Sequence, residues 1–342
     1  MGALALHLPG LAPLARGRRL ATVYIGGGTP SMWPPGQLAR VLELVDASIG
    51  IAPGAEITIE ANPATLSRAK LKALISAGFN RLSIGAQSMN PAYLRLLGRA
   101  HSPEDVRKGV EWARSAGWEN VSLDLIYALP YQGLKELAQD IKALVELGPE
   151  HISAYELTLN PASVFGRRYR RGCWPMPPQE SLEQMYELVV ERLEASGYKR
   201  YEVSNFALPG LACRHNQGTW AGGDYLPLGP GAHGHLEGMR WAWVADVGEY
   251  AARVAAGGDP AAWRERLSPR QRALELIMLG LRTTVGVDMA RVGELLGVNP
   301  FSFYAAAIAE IEARGWARVE GHRLVPTHQG IAMADAAAAL FA

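Results

Sequence analysis

Apolar, β-branched runs alternate along this chain with amphipathic helical stretches, and that alternation leaves few folds open. Strands are expected at residues 22–25, 56–61, 81–85, 121–126, 151–157 and 201–203. Helices are expected between them at 35–49, 67–77, 103–116, 133–147 and 180–195. The helix ends agree with this division. Ser102-Pro103-Glu104-Asp105 places a cap, a first-turn proline and two acids in order, and Gly78, Gly117 and Gly197 follow the last turns of three helices. Strands joined through helices by short connections lie parallel with right-handed crossovers. The expected class is therefore α/β, as a partial barrel or an open sheet.

The carboxyl ends of these strands carry residues that a purely structural strand does not need. The run 22–25 stops on Gly26, Gly27 and Gly28, followed by Thr29-Pro30-Ser31. Glycines there permit left-handed backbone and close approach of a ligand; a tight turn capped by Ser31 or Thr29 is the plainer alternative. Neither a GxGxxG pattern nor a P-loop is present, so phosphate cradling is not implied. Glu60, Gln87 and Asp124 fall at the same end of three successive strands, where side chains of a barrel converge on one rim. With the glycines they make a polar site suited to an amino group, a carboxylate and ribose hydroxyls. Arg99, in Leu97-Gly98-Arg99-Ala100-His101, is placed to meet a carboxylate with a bidentate fork.

Composition narrows the partners. The 342 residues suffice for one large α/β domain and a smaller one, and 34 Lys+Arg against 33 Asp+Glu leave a net charge of +1, which makes no electrostatic case for nucleic acid. No apolar run is long enough to span a membrane, and residues 1–20 carry their arginines at the wrong end for a signal peptide. Two cysteines, Cys173 and Cys213, exclude a disulfide framework and point to a reducing, cytoplasmic location. Residues 205–237 turn rich in Gly, Pro and aromatics, and 205–267 as a whole reads as a connecting region between a barrel (1–204) and a carboxyl-terminal domain (268–342). That last domain is expected to hold helices at 272–281, 289–296 and 301–314 and a hairpin at 315–326 around Gly321, a winged-helix-like order. It has no basic helix face, so packing or partner binding is expected of it and DNA binding is not.

Eight motifs stand in the order and spacing of one family: VYIGGGTPS (23–31), TIEANP (58–63), SIGAQS (83–88), LGRAH (97–101), SLDLIYALP (122–130), ISAYELT (152–158), HNQGTW (215–220) and LGPGAHGHL (228–236). From about residue 20 onward the chain resembles the HemW-type haem chaperones, within the coproporphyrinogen III oxidase-like radical SAM proteins. The resemblance implies a partial (β/α)6 TIM-type barrel followed by a small helical domain, with S-adenosylmethionine across the strand ends. Gly27, Gly28 and Thr29 match the loop for its methionyl part; Glu60, Gln87, Arg99, Asp124, Ile126 and Ala154 match its other contacts. His215 matches the candidate haem iron ligand of a His-Asn-x-x-Tyr-Trp motif, in which Thr219 replaces the usual Tyr; Pro227 replaces a common Gly nearby. His233 and His235 read as structural, each open to a second-ligand role. The implied activity is haem binding and delivery to client haemoproteins, and a peripheral membrane association is left open. The alternative within the family is oxygen-independent coproporphyrinogen III oxidase, so whether the chain is an enzyme stays open at this point.

One departure concerns the amino terminus. Family members open with a strand and a Cys-x3-Cys-x2-Cys loop binding a [4Fe–4S] cluster, and no such cysteines precede Val23 here. Residues 1–19 match the tail of the helix that follows that loop, so the first strand is expected to be missing from the barrel. A start codon upstream of Met1 is the favoured explanation and a clusterless chain the other; translating the in-frame DNA upstream of Met1 separates them.

Overall fold

In the computed structural model, which describes residues 1–159, 164–172 and 174–342, seven strands form one sheet in the order β1-β2-β3-β4-β5-β7-β6. These are β1 (Leu20–Ile25), β2 (Ile51–Ala61), β3 (Arg81–Gln87), β4 (Val121–Tyr127), β5 (His151–Glu156), β6 (Lys199–Arg200) and β7 (Asn205–Ala207). The pairs β2–β3, β3–β4 and β4–β5 are parallel, as the strand–helix alternation requires, and the sheet curls into a half-barrel. The last strand departs from expectation. Residues 201–203 are not a strand of their own; they turn between β6 and β7, and β7 runs antiparallel to both β5 and β6. A bend at Val203 and Ser204 reverses the chain, so β6 and β7 make a hairpin rather than one more parallel unit.

Contacts divide the chain into two compact units. One comprises Val23–Ala39 and Glu56–Cys213, the other Met1–Thr22, Arg40–Ala55 and Arg214–Ala342. In the first unit, α3 (Arg68–Ser76), α5 (Pro103–Ala116) and α6 (Leu134–Val145) follow successive strands, with α4 (Pro91–Leu96), α7 (Val164–Arg170) and α8 (Gln179–Ala195) completing the series. Earlier in the chain come α1 (Gly2–Leu11), which belongs to the second unit, and α2 (Pro35–Ser48), which is divided between the two. Strand alternation sorts the side chains. Ile59, Leu82, Ile84, Leu123, Leu125 and Ile152 are fully buried on one face, beneath helices such as α5 on β3 and α6 on β4. Each contributes about 1.5–3 kcal/mol relative to exposure. The other face is polar: Thr58, Glu60, Arg81, Ser83, Ser122, Asp124, His151 and Ser153 alternate with those apolar residues. Its base is hydrogen-bonded, with His151 Nδ1 2.8 Å from Ser122 Oγ and Nε2 2.8 Å from Tyr201 Oη. Burial, with the Arg81 charge adding, pushes the His151 imidazole well below its usual range, so it is neutral.

The start of α5 is locked as its sequence implies. Asp105 N donates to Ser102 Oγ at 3.3 Å, and the Asp105 carboxylate accepts from Ser102 N at 2.8 Å. Ser102→Ala should cost about 1 kcal/mol of stability, read from the midpoint of a denaturant titration.

The second unit contains α1, the helices α9 (Arg214–Trp220) and α10 (Val247–Ala255), and an antiparallel sheet β10-β9-β8 built from β8 (His233–Leu236), β9 (Met239–Trp243) and β10 (Ala261–Arg266). Residues 205–267 therefore hold strands and helices of their own, with Trp241, Trp243 and Tyr250 in a core that also takes in Leu11 of α1. Toward the carboxyl terminus come α11 (Pro269–Gly280), β11 (Val287–Asp288), α12 (Met289–Leu296), α13 (Pro300–Phe303), α14 (Ala305–Ala313), β12 (Ala317–Glu320) and β13 (Arg323–Pro326). The hairpin β12–β13 turns at Gly321 as expected, and β11 joins it. The single helix expected at 301–314 is instead broken at Tyr304, whose φ of −104° and ψ of 24° leave the helical region. Tyr304 packs its ring on Phe341 and into the core with Ile277, Leu281 and Ile311, which fixes the break.

Candidate functional site

The polar face of the half-barrel ends in a rim at the carboxyl ends of β1 to β4, inside the first unit. Gly27 and Gly28 have φ of +80° and +56°, in the left-handed region that glycine enters without strain. Space is open where a Cβ would stand at both, so the demand there is conformational. Gly26 is required for a different reason: a Cβ would lie 2.8 Å from Tyr24 Cε1 and 2.9 Å from Glu60 Cδ. The Glu60 carboxylate is packed directly against the glycine loop. Its Oε2 accepts from Gly27 N at 3.0 Å, and its Oε1 accepts from the Tyr24 hydroxyl at 2.8 Å.

The loop after the glycines is tied down by more than a simple cap. Thr29 stands before the short 3-10 turn Pro30–Met32 but makes no side-chain cap bond. Ser31, fully buried, takes the work instead: its Oγ is 2.6 Å from Thr65 Oγ1 and accepts from Asn62 N at 3.1 Å. Lys70 Nζ then donates to the carbonyls of Ser31 and Thr65, both at 2.7 Å. The glycine loop is thereby fastened to the end of β2, where Glu60 sits.

Asp124, half-buried in the middle of β4, accepts from Ser83 Oγ at 3.1 Å. Enclosure by protein is the main cause that raises its carboxyl to about 6; Glu60 adds to it, while Ser83 and Arg81 oppose it. Gln87 closes β3 with a φ of +66°, strained backbone for a residue with a side chain. Its Nε2 folds back to 2.7 Å from where a Gly85 Cβ would be, so the side chain lies over Gly85. Ile126, half-buried, pairs with Tyr155 across β4 and β5.

Two further residues expected at the rim have their own local partners. Arg99 is exposed after α4, its backbone N bonded to Leu94 O, and its guanidinium has no hydrogen bond or ion pair among the described residues. Ala154 alternates onto the apolar face of β5, buried beside Ile152, and its N donates to Ser204 O at 2.8 Å. Two residues of the rim were not singled out from sequence. Tyr24 and Ser83 each lie on the polar face by strict alternation with Gly26 and Gln87, a period-two signal that could have found them.

In the second unit, His215 is half-buried on α9, its Nδ1 2.9 Å from Thr22 Oγ1. That contact fixes the ring's orientation. Thr219, one turn on, donates its hydroxyl to His215 O at 3.1 Å. His235 is buried, with Nδ1 3.0 Å from Gly223 O and Nε2 accepting from Gly238 N at 3.3 Å, so both ring nitrogens serve the local fold. His233 is exposed and meets the Trp263 ring edge-on at 5.9 Å.

A curled half-barrel with a glycine-bounded polar rim and a separate helical domain defines a radical SAM-type protein. The family models agree: the Radical SAM superfamily matches residues 11–144 and the HemN C-terminal domain matches 267–333. The structure of coproporphyrinogen III oxidase (HemN) from Escherichia coli, a radical SAM enzyme, superposes with a TM-score of 0.86 over 99% of this chain and 82% of its own, at 22% identity, which speaks for the fold alone. Among curated proteins, heme chaperone HemW of Bacillus subtilis is 36% identical over 91% of this chain and 82% of its own. HemW of Mycobacterium tuberculosis is 38% identical over 92% and 79%, and that of Escherichia coli 40% identical over 65% and 58%. The chain belongs to the HemW family.

That family implies S-adenosylmethionine and an iron–sulfur cluster. For S-adenosylmethionine the residues fit: a glycine loop with left-handed backbone, a fixed carboxylate at Glu60 for an amino group, and Asp124 with Ser83 for hydroxyls. For an iron–sulfur cluster the described cysteine, Cys213, does not fit. Cys213 is fully buried and donates to Glu56 Oε1 at 3.3 Å; Cys173 lies outside the described residues. Among the described residues no group of three or more His, Cys, Asp or Glu side chains is disposed to hold a metal ion, and no helix is long and apolar enough to cross a membrane.

Proposed function

We propose that this chain binds haem as cargo and delivers it to client haemoproteins in the cytoplasm, with His215 as the iron ligand and the strand-end rim holding S-adenosylmethionine. The observation that carries this reading is the likeness to HemW relatives across nearly the whole chain, at 36% and 38% identity over 82% and 79% of their lengths. The geometry gives that reading its parts. Thr22 orients the His215 imidazole, as an outer hydrogen bond does for a metal-binding histidine. At the rim, Gly27 and Gly28 admit the methionyl backbone, Glu60 and Gln87 meet its polar groups, and Asp124 accepts from the ribose. Arg99, Ile126 and Ala154 complete the proposed contacts, Ala154 through its backbone because its side chain faces the helices. S-adenosylmethionine, when bound, supplies an activated sulfonium.

The competing reading is decarboxylation of coproporphyrinogen III, supported by likeness of fold and by the HemN C-terminal domain match over residues 267–333. Anaerobic incubation with coproporphyrinogen III, S-adenosylmethionine and a reductant, beside incubation with haem, distinguishes them. The expected result is a shifted Soret band with haem and no conversion of the porphyrinogen. Formation of protoporphyrinogen would overturn the chaperone reading.

A further inference from the structure

The carboxylate of Glu60 is held from two directions, and the second of them has no part in the cofactor contacts proposed above. One hold is the Gly27 N–H on Oε2 at 3.0 Å. The other is the Tyr24 hydroxyl on Oε1 at 2.8 Å, reaching from β1, two residues before Gly26 and on the same face of the strand. A carboxylate at the end of a strand has a rotatable side chain and loses entropy when a ligand orders it. Two donors on different oxygens remove that freedom in advance, because they fix the plane of the carboxylate as well as its position. The absence of a Cβ at Gly26 lets the tyrosine ring and the carboxylate meet this closely.

We propose that Tyr24 is the positioning residue of the methionyl site: its hydroxyl clamps Glu60 against the glycine loop so that the remaining lone pairs face an incoming amino group. This rests on the reading of the rim as an S-adenosylmethionine site. Tyr24 stays a donor throughout the working pH range, since burial, with the Glu60 and Asp124 carboxylates adding, pushes its phenol far above the usual range. The alternative is that the ring is needed only for packing, and phenylalanine would then serve equally well.

The two are separated by calorimetric titration of the full chain with S-adenosylhomocysteine and with 5′-methylthioadenosine, which lacks the amino and carboxyl groups. The wild-type chain is expected to bind both. Tyr24→Phe should weaken S-adenosylhomocysteine about tenfold, the loss typical of one hydrogen bond to a charged group, and leave methylthioadenosine within about twofold. Glu60→Gln should weaken S-adenosylhomocysteine as well, and adding Tyr24→Phe to it should cost little more, since the clamp then has no carboxylate to hold. Unchanged S-adenosylhomocysteine affinity in Tyr24→Phe overturns the proposal. So does an equal loss for both ligands, which marks a general structural role, or full additivity with Glu60→Gln. A wild-type chain that binds neither ligand overturns the rim reading itself, and the clamp with it.

Discussion

Gly26→Ala is expected to weaken S-adenosylhomocysteine binding at least about thirtyfold while the half-barrel stays folded. The backbone at Gly26 is not left-handed, so alanine is allowed there, and the effect is one of space. The new methyl would stand 2.8 Å from the Tyr24 ring and 2.9 Å from the Glu60 carboxyl carbon, distances no real Cβ tolerates. Both neighbours must move outward, and the two bonds that place Glu60 are lost together. Gly27→Ala is a useful contrast. Its Cβ meets nothing, but its φ of +80° costs about 1 kcal/mol or more for any L side chain, so it should lower stability more than it distorts Glu60. Calorimetric titration combined with thermal melting separates the two kinds of damage.

A second large effect concerns pH. Glu202 sits in the turn between β6 and β7, fully buried. Its Oε1 accepts from Ser204 N at 3.1 Å, and its Oε2 has no hydrogen-bond partner among the described residues. Burial is the main cause that raises the carboxyl from its ordinary 4.5 to about 7, against bonds from Asn205 and the local backbone that lower it. Below about pH 4.5 the group is protonated in both folded and unfolded chains. Between about 4.5 and 7 only the folded chain keeps its proton, so stability falls as pH rises through that window. Two and a half pH units correspond to about 3 kcal/mol at pH 8. Glu202→Gln keeps one acceptor oxygen and cannot ionise. It should be more stable than the wild type at pH 8 by about 3 kcal/mol and no more stable at pH 4.5, as read from denaturant titrations at both pH values. A mutant equally stable relative to wild type at both pH values would contradict the assignment. Asp124, raised to about 6, acts in the same direction over a lower window.

How much of this was legible in the chain depended on the period of the signal. Glu60 and Gln87 stand near or at the ends of β2 and β3, where alternation marks the polar face; Asp124 lies on the same face but in the middle of β4, which the apolar run around it does not reveal. Tyr24 was hidden because an aromatic in a β-run is what strand propensity alone expects, and nothing local says that its hydroxyl meets a residue 36 positions away. Arg81 was hidden for the opposite reason. A charged residue opening a strand reads as solvent-exposed, yet it is 2% exposed on the polar inner face, which only the curl of the sheet encloses. Ala154 was assigned by resemblance, and one residue of register decides that its side chain faces the helices. The turn at 201–204 and the break at Tyr304 are tertiary choices. The first is set by β7 pairing backwards on β5, the second by a ring that fills the carboxyl-terminal core. In residues 205–267 the aromatic content points to order, but the two tryptophans of β9 that anchor a sheet there do not stand out against so many turn formers.

The central claim, that this chain carries haem through His215, is tested most directly by titrating haem into the wild-type chain and into His215→Ala while following the Soret band. The wild type is expected to saturate at one haem per chain with a shifted band. His215→Ala should lose the shifted band and keep its affinity for S-adenosylhomocysteine, because the rim residues lie in the other compact unit. A His215→Ala chain that binds haem with the wild-type spectrum and affinity would contradict it.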